Sequence, residues 1–320
     1  HEYPNEDTMK LLSAMTMMTL PILSTLYACN SRPSSHSTEL INSEATGASG
    51  ELVQACSAGD MSSEALTQDD VICEEIVSRV VEPCGDNRTR IGDSIGADMT
   101  LNGCYETAGF TVEEGVTLTL SPGADLRFLD SDASIQVEGT LVAEGTAEDP
   151  IYLNGGVTKG SWGGVRLINN SAGNRFSHVI FENGGGFDWN TGEAENAMLV
   201  IQDDPVEVSI SYTTFRGSSG YGLHLASPHS ITRLEAVEFE DNDQGAARIP
   251  PNQMRAFAAN LAFGEEQWVF VERGDVTDDQ TWESCIPWRF VDGVQLMDDA
   301  RITIAAGSTL TFEASGFLEV

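Results

Sequence analysis

Two short stretches carry residue types from which a cation or saccharide site could be built. FEDNDQGAARIP, residues 239–250, places Asp241 and Asp243 two apart and Arg248 five further on. Carboxylates at that spacing can share a calcium ion, which takes six to eight hard oxygen ligands. An arginine beside them could serve as the base of a polysaccharide-cleaving reaction. FENGGGFDWNTGE, residues 181–193, offers Glu182, Asp188 and Glu193 with Trp189, whose ring could stack on a sugar. Both stretches also have a plainer reading, as solvated corners of a very acidic chain, and that reading is preferred.

The rest of the chain offers little further chemistry. His178, His224 and His229 lack metal-ligand spacing, and no metal cluster, nucleophile elbow, Walker loop or dinucleotide fingerprint is present. No cofactor is implied; scattered calcium at aspartate corners is the one ion left open. His224 alternates with Leu223 and Leu225 and is expected to face solvent. Trp162, in SWGGV, reads as a packing residue.

Charge narrows the partners. The 320 residues carry 50 acids against 16 bases, a net charge of −34. Only Lys10 and Lys159 are lysines. Such a surface repels phosphate backbones, so nucleic acid is excluded as a partner. It also suits a saline habitat.

The N-terminal region reads as an address. Lys10 precedes an apolar stretch, Leu11 to Leu26, of secretory-signal length. Leu26-Tyr27-Ala28-Cys29 resembles the bacterial lipobox, in which the cysteine is lipidated and becomes the new N-terminus. On this reading residues 1–28 are upstream residues plus signal peptide. Residues 29–50, rich in serine, are a lipidated Cys29 and its flexible tether. The expected location is the outer membrane, facing the periplasm or the cell surface, with the lipid anchor as the membrane contact.

Residues 51–104 form a short cysteine-containing cap region holding Cys56, Cys73, Cys84 and Cys104. No CxxC pair exists, so two disulfides are expected rather than zinc, with three pairings open. Asp69 to Val81 has helical spacing. Cys285 stands apart and is expected either to be buried and free or to pair beyond the end of this sequence.

From 105 to 320 the pattern is all β. Apolar residues recur as i, i+2 pairs: Leu118/Leu120, Leu126/Phe128, Ile135/Val137, Leu141/Ala143, Ile151/Leu153, Val165/Leu167, Val179/Phe181, Leu199/Ile201, Val208/Ile210, Leu223/Leu225, Val237/Phe239 and Val269/Val271. Each pair puts two side chains on one face of a short strand, and Gly, Asn, Asp or Ser usually separates the pairs. SHVIFENGGG, SYTTFRGSSGYGL and EAVEFEDNDQGA repeat one phrase, a strand ending in Phe181, Phe215 or Phe239, then a polar corner. Coils of twenty-odd residues bury such pairs only by stacking, which predicts a right-handed parallel β-helix of about nine coils from Cys104, roughly 40 Å long at the ~4.8 Å strand spacing. A β-sandwich is the rival. The phrase FTVEEGVTLTLSPGADLRF (110–128) returns as ITIAAGSTLTFEASGFLEV (302–320), which suggests a second module, cut short at the last residue.

GVTLTLSPGADLRF, GTLVAEGTAEDPIYL and SWGGVRL resemble phrases of the bacterial right-handed parallel β-helix repeat proteins of the pectin-lyase-like type, many of them lipoproteins or surface proteins of unsettled role. The resemblance covers residues 104–320 and carries no catalytic residue. Polygalacturonase-like enzymes add Gly-His-Gly and Arg-Ile-Lys, and this chain has neither. The expected function is therefore a lipid-anchored surface β-helix acting in structure, adhesion to surface proteins or polysaccharide contact. The alternative is a carbohydrate-active enzyme, which would show a groove along one sheet lined by acids, an arginine and aromatics.

Overall fold

The computed structural model describes residues 84–320 apart from 86, 169–171, 188–195, 203–207, 227–230, 258–259 and 298. It also describes three two-residue strands nearer the N-terminus, Tyr27–Ala28, Ala55–Cys56 and Cys73–Glu74. The signal, the tether and the Cys29 anchor otherwise lie outside the described residues. So does most of Asp69–Val81; its two described residues, Cys73–Glu74, form a strand rather than a helical turn, with Cys73 opposite Cys56 in an antiparallel pair.

From Thr89 onward the chain winds through three sheets in turn. One coil runs Asp125–Phe128 in the first sheet, Ser134–Val137 in the second and Thr140–Glu144 in the third. The next coil returns to the first sheet at Ile151–Asn154, paired parallel with Asp125–Phe128. The second sheet is the longest, with ten strands from Ser94–Ile95 to Leu310–Phe312. Every neighbour in it pairs in parallel. This is the stacking of a parallel β-helix. A sandwich, built on hairpins, would place antiparallel neighbours side by side. Nine of the ten second-sheet strands follow Cys104, which matches the coil count read from the sequence. The first described coil, Thr89–Leu101, falls within the stretch assigned to the cysteine region.

All twelve i, i+2 pairs point inward, and none of their side chains is more than 2% exposed. Burying each of the larger ones contributes about 1.5–3 kcal/mol. The phenylalanines of the repeated phrase stack directly on one another. Phe181, Phe215, Phe239 and Phe263 are register partners in the first sheet, with ring centroids 4.7, 5.4 and 5.7 Å apart and nearly parallel planes. Trp162 is fully buried, stacks on Phe128 at 4.1 Å, and donates its indole N–H to the Glu182 carbonyl. It is a packing residue, as expected.

The N-terminal end of the stack is pinned. Cys84 and Cys104 form a disulfide, and Arg88 makes a bidentate ion pair with Asp125 at 2.8 and 3.0 Å in largely buried surroundings. Asn154 donates to the same carboxylate. Cys285 is exposed and disulfide-bonded, so it is neither buried and free nor reserved for a cysteine beyond this chain.

The returning phrase at 302–320 does not occupy the faces of its first copy. Phe110–Val112 lies in the second sheet, whereas Ile302–Ile304 pairs with Gln280–Trp282 in a separate small sheet. Thr117–Leu120 lies in the third sheet, whereas Leu310–Phe312 extends the second. The phrase has moved one face around the coil. Strand–corner–strand wording suits any face, because every face asks for the same inward pair and the same turn.

Candidate functional site: a cleft on the outer face of the second sheet

Among the described residues, Asp241 and Asp243 share no site with Arg248, and the aspartate pair stands at an exposed corner, the plainer reading of that stretch. Asp241 and Asp243 sit at the corner between the first and second sheets, and both accept from one ammonium. Lys159 Nζ lies 2.8 Å from Asp241 Oδ1 and 2.7 Å from Asp243 Oδ1. Lys159 belongs to the Gly155–Trp162 loop, three coils earlier, which leans along the stack; a Cβ at Gly160 would come within 3.4 Å of the Gly186 backbone and 2.8 Å of Ser219 Oγ on the intervening corners. Burial opposes the lysine charge, but hydrogen bonds and Coulombic attraction from the two aspartates outweigh it, and its pKa is raised. Glu182, on the outer face of the first sheet, pairs with Arg216 of the next coil at 2.8 Å. Asp188, Trp189 and Glu193 lie outside the described residues. No group of three or more His, Cys, Asp or Glu side chains could hold a metal ion among the described residues.

Arg248 goes elsewhere. It lies on the outer face of the second sheet, in a column set by strand register: Val200, His224, Arg248, Phe270, Arg289 and Thr311, one per coil. Arg248 pairs through Nε with Glu272 Oε1. Arg289 pairs with Glu313 at 2.8 Å and lays its guanidinium 5.4 Å from the Phe270 ring centroid and 5.7 Å from that of Trp268. Phe270 meets Tyr221 edge-on at 5.6 Å. Gly245, at φ +119°, makes room for this arrangement. A Cβ there would lie 2.8 Å from the Phe270 ring and 2.9 Å from the Trp268 carbonyl, so only glycine seats the aromatic above it.

Together these residues border an open cleft of about 500 Å³, lined by Tyr221, Arg248, Phe270, Glu272, Arg273, Val291 and Asp292. That is within the ~300–1,000 Å³ range of small-ligand sites. A second apolar cluster lies beside it on this outer face, with Ala197, Val200 and Tyr221 packed against Phe187 and Phe270.

His224 lies on the outer face, as its alternation suggested, but it is fully buried rather than solvent-facing. The reason is this second apolar layer, with Val200 and Arg248 as its neighbours in the column. Burial first, and the Arg248 charge second, lower its pKa to about 3, so the imidazole is neutral at ordinary pH. Burial raises the Tyr221 pKa, partly offset by Arg248, keeping the phenol protonated and able to donate. The site therefore presents a phenol, two arginine side chains and two acidic side chains as hydrogen-bonding groups. Arg273 is exposed and forms no ion pair among the described residues.

Sequence reading missed this cleft, although a signal existed. Phe215 and Phe239 were read as one coil apart, 24 residues; His224 and Arg248, and Tyr221 and Gly245, are separated by the same 24. Applying that spacing to outward positions would have stacked Arg248 on His224.

No family model matches this chain, and neither the curated proteins nor the solved structures include a match to it. Fold and site thus define a class only: a parallel β-helix with a mixed aromatic and charged cleft on one sheet.

Proposed function

We propose that this protein is an exported, lipid-anchored right-handed β-helix of the pectin-lyase-like type, standing on the outer membrane and contacting a saccharide through the second-sheet cleft. The cleft is the observation that carries the reading. It combines aromatic side chains with arginine and carboxylate groups, the set that packs against a pyranose ring and bonds its hydroxyls. The Leu26-Tyr27-Ala28-Cys29 stretch and the serine-rich segment behind it support the anchor.

The same convergence of acids, arginine and aromatics is the pattern sought for a carbohydrate-active enzyme, so cleavage is the second reading. Binding is preferred because Arg248 is committed to Glu272, and His224 is sealed beneath the surface. Neither offers an exposed base. A panel of polysaccharides, tested with and without calcium, separates these outcomes. The expected result is retention of one polysaccharide class without chain shortening, weakened in Phe270→Ala. Shortened products that vanish in Arg248→Gln would establish the enzyme instead.

A further inference from the structure

Resting on the reading of the cleft as a saccharide site, we propose that it takes an uncharged, hydroxyl-rich sugar and discriminates against polyuronates and sulfated chains.

The charges lining the cleft cancel. Arg248 and Arg273 face Glu272 and Asp292, and Arg248 and Glu272 are already bonded to each other. Arg289, the next cation along the column, is held between Glu313 and the rings of Phe270 and Trp268. A polyanion would have to compete with these carboxylates for their arginines and approach them against like-charge repulsion. Of the two lining arginines, only Arg273 has no carboxylate partner among the described residues. Beyond the cleft, the chain carries −34 overall, a field that repels any polyanion approaching it. The neutrality also holds across the physiological range, since the buried His224 beneath the lining stays uncharged. An uncharged sugar meets neither obstacle. Its hydroxyls both donate and accept, so guanidinium and carboxylate edges can each be satisfied without breaking the pairs.

The test uses the folded chain titrated with cellotetraose, maltotetraose, tetragalacturonate and a chondroitin sulfate tetrasaccharide, following the arginine Nε–Hε signals at 20 and 300 mM NaCl. At least one neutral tetrasaccharide should shift the Arg248 and Arg273 signals, with an affinity unchanged by salt within about twofold, because no ion pair forms. Asp292→Asn keeps the side-chain oxygen that accepts the Gly293 N–H and removes one charge. It should raise the ratio of uronate to neutral-sugar affinity about two- to fivefold at low salt, the scale of one exposed ion pair. Uronate or sulfated sugar binding at these signals more tightly than either neutral probe, and weakening with salt, overturns this inference but leaves the saccharide cleft standing. Silence toward all four probes overturns both.

Discussion

Lys159 shows how far one side chain reaches in a stacked coil. It bridges 82 and 84 positions of sequence to hold Asp241 and Asp243, and nothing in the spacing of those residues announces it. The aspartate pair was legible as a cation site; what could not be read was that the protein supplies the cation itself. Both carboxylates are well exposed, so the pair contributes at most about 1 kcal/mol. Lys159→Met should leave the melting temperature almost unchanged while speeding hydrogen exchange of the Gly155–Ser161 amides, measured by mass spectrometry. His224 carries a larger consequence. Its ordinary pKa is 6.5 and its folded pKa about 3, so in that interval the unfolded chain binds a proton that the folded chain refuses. Stability should therefore fall as pH drops from 6.5 toward 3, by on the order of 1 kcal/mol per pH unit from this group. Denaturant unfolding at pH 7, 5 and 4 measures the slope, and His224→Leu should flatten it.

At the scale of elements, the coil was legible because its demands are local. Two inward apolar residues per strand and a polar corner can be counted in sequence, and all twelve counted pairs are buried. The outer faces were not legible, because coil length varies. Register partners in the second sheet lie 30 residues apart at Val137 and Leu167, 34 at Leu167 and Ile201, and 24 at Ile201 and Leu225. Outward positions could therefore be aligned only where the 24-residue spacing repeats, as between His224 and Arg248, and not along the whole sheet. The aromatic ladder of the first sheet gives the sharpest test. Phe215 is stacked on both sides, and Phe215→Ala should cost about 3–5 kcal/mol by opening a cavity the rigid neighbouring coils cannot fill. Gly220→Ala should be at least as damaging, since its Cβ would lie 1.9 Å from the Asn196 carbonyl oxygen, a backbone atom that has no rotamer to retreat into. Thermal unfolding of the two variants beside the parent checks both.

Considered whole, the molecule sets a long apolar interior against a surface of strong self-repulsion. The chain carries fifty acids against sixteen bases, a large excess of one sign. Some are neutralised between successive coils, as in Glu182–Arg216 and Arg289–Glu313. The remaining excess should make stability rise with salt: adding NaCl from 0.05 to 1 M should raise the unfolding midpoint, as the screening length shrinks from more than ~10 Å to ~3 Å. Composition alone foretold that acidic character. The sequence also foretold the stacked all-β coil, but not which face would bear the cleft. Lys159 has one more consequence, for the bench. The sequence has two lysines, and the other, Lys10, lies in the segment read as cleaved on export. On that reading, amine-reactive dyes and coupling resins would find a single ε-amine, already clasped by two carboxylates. Labelling there should be slow, and every molecule that does react gives up its clasp, so tags for surface display or immobilisation are better placed on an engineered cysteine.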